Sequence, residues 1–187
     1  MLNSPRQLVD VLWPDSLPPH VSARQSLFAI VDGARDVRIY VEVGWCLEKV
    51  CLYAGDLPRQ LEMNAPYLVH LMRGDRFART LLREGWGNGW GIFVRTEVGM
   101  DKLRRHLRGF LRVQDENNRR LIFRYYDPQV LCDYLPTCRP SELETVFGPV
   151  DSYLVEDVGG KEIIEFRLEG GKLVSSRIPL ELAQASR

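Results

Sequence analysis

Asp32, Arg124 and Asp127 are the residues of this 187-residue chain whose types and places could do chemistry. Asp32 follows the apolar run LFAIV (27–31), which reads as a buried strand stopped by Asp32-Gly33. Arg124 and Asp127 bracket the end of another strand-like run. Strand ends in α/β sheets are where ligands and catalytic groups collect. A carboxylate pair beside a guanidinium could carry the acid–base steps of a small hydrolase-like enzyme. The competing use is structural: Asp127 before Pro128 is a helix start, a capping carboxylate followed by proline at the first helical position. A buried Asp32 facing Arg124 would be a charge-assisted bridge. Because Asp127 already has capping work, structure is the stronger expectation.

The most unusual local composition is GWGNGWG (85–91). Its glycines permit positive φ or close backbone approach, and Trp86 and Trp90 supply large amphipathic surfaces. Such a loop could stack a ligand or a partner side chain. The favoured expectation is a tight turn whose tryptophans fold back onto the core. It is not a phosphate loop, because no Lys-Ser/Thr follows the last glycine.

No nucleophile elbow G-x-S-x-G and no H-E-x-x-H helix occurs, and no cofactor motif stands out. His20, His70 and His106 fall in a linker, a strand and a basic helix, with His106 expected on a solvated face. Cys46, Cys51, Cys132 and Cys138 are spaced by five and six, not by the two-residue gaps of a zinc knuckle, and are expected to be reduced thiols without a metal. With 25 Lys plus Arg against 25 Asp plus Glu, no global charge draws the chain to nucleic acid or membrane. The run 102–112 could bind phosphates, but it is not read as a base-stacking surface, for want of interleaved aromatics. Basic residues crowd 102–124 and acidic ones 141–181, which fits two surfaces for different partners, two parts that attract each other, or simply solvated helix and hairpin faces. No apolar stretch is long enough for a bilayer, and no secretory signal is read at the N-terminus.

The elements that would position these residues alternate. A short helix (6–12) precedes a proline linker; strands are predicted at 27–31, 50–53, 67–71 and 91–95, and helices at 75–84 and 101–110. The stretch from 37 is open: Val37, Ile39, Val41 and Val43 alternate as in a strand, while Tyr40, Val43 and Leu47 are spaced for a helix. Runs 111–113 and 121–125 flank Asp115-Glu116-Asn117-Asn118 as a hairpin. A last helix is predicted at 141–147, with a Ser141/Glu144 capping box and an end at Gly148-Pro149. Gly-punctuated β-like runs follow. The expected fold class is α/β, a central mixed sheet layered with helices and followed by a small antiparallel C-terminal β-meander. The expected organisation is an N-terminal helix and linker (1–26), an α/β domain (27–150) and a C-terminal hairpin appendage (151–187).

Six segments resemble the successive signatures of the effector chaperones (Tap or TEC type) of bacterial type VI secretion: FAIVDGAR (28–35), CLYAGDL (51–57), APYLVHL (65–71), GWGNGWGIFV (85–94), LRRHLRGFLRVQDE (103–116) and FRYYDPQVLCDYLPTC (123–138). Their order and spacing match, over roughly 27–150. The resemblance implies a cytoplasmic, non-catalytic adaptor that joins an effector toxin to the spike protein VgrG. It also favours a helix after residue 36. Asp32, Trp90, Arg124, Tyr125, Asp127 and Pro128 fall at the family's characteristic positions, for partner binding or for the framework. Two departures stand out. Arg139 precedes Pro140 where Thr-Pro is common, and a short meander replaces a longer C-terminal lobe, so its acidic strands or its edge would choose the effector. Beside the adaptor stand two alternatives, an enzyme built on Asp32, Arg124 and Asp127, and a toxin-capping immunity-like protein.

Overall fold

A computed structural model describes residues 6–15, 24–114 and 118–180. Nine strands and seven helices follow one another among these residues. Strand β1 (Ser26–Asp32) lies inside a seven-stranded sheet, third from one edge, and is buried along nearly its whole length. Its apolar run is continuous because both of its faces are covered.

The sheet order is β2 (Lys49–Cys51), β3 (Pro66–Leu71), β1, β4 (Gly91–Thr96), β7 (Ser152–Glu156), β8 (Glu162–Glu169) and β9 (Lys172–Pro179). The short hairpin β5 (Arg112–Gln114) and β6 (Arg120–Ile122) forms a separate two-stranded sheet. Every pairing among the described strands is antiparallel, where a mixed sheet was expected. The reason lies in the first long connection. Residues 33–65, which include the edge strand β2, bring the chain back to the end of the sheet where β1 finished, so that Asp32 faces Pro66 across β1 and β3. The C-terminal meander continues this sheet, since β7 pairs directly with β4.

Helices cover both faces. On one side α5 (Met100–Gly109), α6 (Pro128–Tyr134) and α7 (Pro140–Phe147) press Leu103, Leu107, Leu131 and Phe147 onto Phe28, Ile30, Ile92 and Tyr153. On the other, α1 (Arg6–Leu12), α2 (Val37–Gly44) and α4 (Arg76–Thr80) pack Leu8, Ile39 and Phe77 against Ala29, Val31 and Phe93. A one-turn helix, α3 (Arg59–Met63), was not anticipated and buries no side chain fully.

The ambiguous stretch after residue 36 is helical. Asp36 caps α2, its carboxylate accepting the Arg38 N–H (2.9 Å), and only one face is buried, at Ile39 and Val43. Their spacing of four suits a helix packed on one side, and that packing overrides the β-propensity of the valines. Helix α4 begins as expected at Asp75, whose carboxylate accepts the Ala78 N–H (2.5 Å). It then widens into a π-helical turn, Leu81–Gly85, with the Trp86 N–H donating to Leu81 O (3.0 Å).

Two expectations are corrected. Helix α7 starts at Pro140, and the box that closes it is the Glu142 carboxylate accepting the Arg139 N–H (2.7 Å), not Ser141 with Glu144. His106 is half-buried, not solvated: its Nε2–H donates to Val146 O (2.9 Å), and burial lowers its pKa. Of the proline linker, residues 16–23 lie outside the described residues, as do 115–117 of the hairpin turn.

Candidate functional site

The sequence-predicted residues meet at one end of the sheet, where β1 finishes, β4 begins and β7 finishes. The turn after β1 is tied down twice through its backbone: the Asp32 N–H donates to Trp90 O (2.8 Å), and the Arg35 N–H donates to Asp32 O (3.0 Å). A second turn, after β6, is closed by the Asp127 N–H on Arg124 O (2.9 Å). Each turn therefore carries an Asp and an Arg three residues apart, in opposite order.

The two turns are joined by crossed ion pairs. Asp32 receives the Arg124 guanidinium on Oδ2 and the Ala34 N–H on Oδ1 (3.1 Å). Asp127 receives the Arg35 guanidinium on Oδ2, while its Oδ1 accepts the N–H groups of Gln129 (3.0 Å) and Val130 (3.4 Å) and so caps α6. Both carboxylates are buried and satisfied on both oxygens. Asp32 holds the Arg124 pKa above its usual value by accepting its hydrogen bond. Tyr125, within the second turn, is fully buried, and its hydroxyl donates to Leu107 O (3.1 Å). Burial pushes its pKa upward. A side chain so placed supports the turn from beneath and cannot meet a partner directly.

The glycine-tryptophan loop folds back. Trp90 is buried in the core that holds Phe77 and Phe93, and the half-buried Trp86 lies 6.2 Å from Phe93, centroid to centroid. The loop is also gripped from the far side by the meander. The Trp86 Nε1–H donates to Gly160 O (2.7 Å), and the Glu156 carboxylate accepts the N–H groups of Gly87 and of Gly89 (2.6 Å). Gly160 has φ +67°, and a Cβ there would sit 2.9 Å from the Gly87 Cα, so only glycine allows the two turns to touch. Burial pushes the Glu156 pKa up to about 7, although the two N–H donors work in the opposite direction.

Above Trp90 opens a surface cleft of about 550 Å3 bordered by Arg35, Arg38, Arg83 and Glu84. The Arg38 guanidinium stands 5.2 Å from the Trp90 ring centroid, in cation–π range. It is held there by Asp36 (2.6 Å) and Glu84 (3.2 Å). Sequence reading missed Arg35, Arg38 and Glu156. Arg35 had a local signal, three residues beyond Asp32 in a turn; Glu156 had none, because it meets the loop only through the β4–β7 pairing. Among the described residues, no group of three or more His, Cys, Asp or Glu side chains is placed to hold a metal ion, and all four cysteines are free.

The model of one protein family, a domain of unknown function designated DUF4123, matches residues 27–145. The chain belongs to DUF4123. This family is associated with effector adaptors of type VI secretion. No curated protein and no solved structure matches the chain. The DUF4123 match contains both crossed ion pairs and the glycine-tryptophan loop, but it ends before Glu156 and Gly160. The meander that grips the loop is thus outside the matched region. No described helix is long and apolar enough to cross a membrane.

Proposed function

We propose that this protein is a non-catalytic, cytoplasmic adaptor that binds a type VI secretion effector and helps load it onto the VgrG spike protein. Membership of DUF4123 over most of the α/β layers is the observation that carries this reading. The geometry of the candidate site supports it. Acid–base catalysis needs a carboxylate free to exchange a proton with substrate, whereas both oxygens of Asp32 and of Asp127 are taken by guanidinium and backbone N–H groups. On this reading Asp32, Arg124, Tyr125 and Asp127 are framework residues that hold two turns in register, and Trp86 and Trp90 anchor the loop between them.

The surface also suits protein binding. Val37, Val41 and Trp45 form an exposed stripe along α2, with Leu47 and Met72 exposed beside it, and contiguous exposed apolar side chains of this kind accompany interaction sites. The decisive experiment is an affinity pull-down of the tagged full chain from cells expressing the neighbouring secretion genes, with mass spectrometry of what is bound. Recovery of a spike protein together with a toxin-like polypeptide is expected. A preparation containing neither, at low as well as moderate salt, would overturn the adaptor reading.

A further inference from the structure

The ion pairs around the cleft above Trp90 share an asymmetry. In the Arg35–Asp127 pair the side chains are 40% and 11% exposed, and in Arg124–Asp32 they are 45% and 1% exposed. Arg38 is 55% exposed against 22% for Asp36, and Arg83 is 58% exposed against 36% for Glu84. In each pair the carboxylate lies inward and the guanidinium outward. A surface built in this way is charge-balanced in sum but presents positive charge to anything approaching it.

Three of the four outward groups also retain hydrogen-bonding capacity; in the fourth, Arg38, every nitrogen already donates to Asp36 or Glu84. A guanidinium carries five N–H donors. Among the described residues Arg35 commits one terminal nitrogen to Asp127, Arg83 its Nε to Glu84, and Arg124 one terminal nitrogen to Asp32. Each can therefore accept a second carboxylate in fork geometry without giving up its first partner. The cleft itself is bordered by three guanidiniums against the carboxylates of Asp36 and Glu84.

We propose that this cleft is the docking site for an acidic segment of a partner protein, an extended stretch carrying several Asp or Glu side chains. The inference rests on the adaptor reading for the claim that the partner is a protein. A cleft of about 550 Å3 has room for several side chains, far more than one small anion needs. Each arginine is already half-neutralised, so a lone carboxylate gains little, whereas a chain of carboxylates gains at several arginines together. Nucleic acid fits less well. Stacking of bases needs an open aromatic face, and Trp90 is 2% exposed beneath Arg38.

The test uses the purified full chain and fluorescence anisotropy with three labelled probes: a peptide of alternating Glu and Gly, the same peptide with Gln for Glu, and oligothymidylate. The Glu peptide is expected to bind, more weakly as salt rises, while the Gln peptide does not. Arg83→Glu is expected to weaken Glu-peptide binding by about tenfold, as loss of one charge-assisted contact requires. Arg38→Glu, at a guanidinium whose three nitrogens already donate to Asp36 and Glu84, is expected to weaken it by less, through reversed charge alone. Arg83→Gln should weaken it less. Lys102→Glu, on the outer face of α5, should leave it unchanged. Melting curves establish that each variant is folded, and Arg83→Gln stands in should a charge reversal fail to fold. Equal binding of Glu and Gln peptides, preference for oligothymidylate, or wild-type affinity in the Arg83 and Arg38 variants would overturn the proposal. The pull-down separates the two readings: spike and toxin recovered equally by Arg83→Glu and wild type would remove the cleft and keep the adaptor. Glu-peptide binding without any recovered partner would do the reverse.

Discussion

The two ends of the central strands hold buried charge in opposite ways. At the end where β1 begins, Arg95 and Glu165 face each other at 3.0 Å with side chains only 6% and 4% exposed, both partners inward. Arg95 also donates to Val11 O and Leu12 O, so the same guanidinium ties α1 to the sheet, and burial lowers its pKa. At the end where β1 finishes, only the carboxylates are inward. Symmetric burial leaves nothing for a visitor and serves to staple elements together. Asymmetric burial fixes the carboxylate as framework and leaves the guanidinium able to do something else. The same residue types thus give a structural lock at one end and a presenting surface at the other.

The sharpest way to break this comparison is Arg95→Ala. It takes from the buried Glu165 the guanidinium at 3.0 Å while Arg167 stays at 3.1 Å, and removes the donor from two carbonyls of the α1 terminus. Removing one partner of a buried pair costs about 3 kcal/mol or more. Urea unfolding should show the unfolding free energy falling by that amount and the midpoint with it, with α1 detaching first in hydrogen exchange. An unchanged midpoint would mean that this pair is not a staple.

Glu156 lies between the two cases, buried like Glu165 but facing backbone donors. Its folded pKa of about 7 is raised from the ordinary 4.5, so between those values the folded state keeps a proton that the unfolded chain releases. The unfolded state then binds fewer protons, and the Glu156 contribution to stability falls as pH rises from about 4.5 to about 7. At about 1.4 kcal/mol for each pKa unit, the full change is about 3 kcal/mol. Glu156→Gln removes this titration, so the stability of the variant relative to wild type should rise across that window and level off above it. Urea midpoints measured at several pH values read this directly. Parallel pH profiles for the two proteins would show that Glu156 does not titrate there.

What the sequence disclosed follows from how local each signal is. The Asp127-Pro128 helix start, the helix beginning at residue 75 and the run ending at Asp32 are encoded within a few residues, and all three are found where expected. The pairing of Asp32 with Arg124 was also legible, because both lie at strand ends. Its crossed counterpart, Arg35 with Asp127, was not: Asp127 already had a role as a cap, and nothing in the sequence indicates that one carboxylate serves both a helix terminus and a guanidinium 92 residues away. The direction of the strands was hidden for a similar reason. Helices between strands suggest parallel crossovers, but whether a connection returns to the same end of the sheet depends on its path, which hydrophobic periodicity does not record. Glu156 became relevant only once β7 was placed beside β4.

Arg124→Ala gives the finest test, because it asks whether a presenting guanidinium is dispensable to the fold. Its loss leaves Asp32 with the Ala34 N–H and, where the guanidinium stood, an opening through which water can reach the carboxylate. Hydration of that oxygen replaces much of what the ion pair supplied, and a guanidinium nearly half exposed is screened by solvent in the first place. The expected cost is about 1 kcal/mol, a third of that for Arg95→Ala, with near-ultraviolet circular dichroism of the tryptophans unchanged. If Arg124→Ala instead destabilises the chain as much as Arg95→Ala, both ends of the sheet are staples. The outward guanidiniums would then be committed to the fold, with nothing left over for a partner.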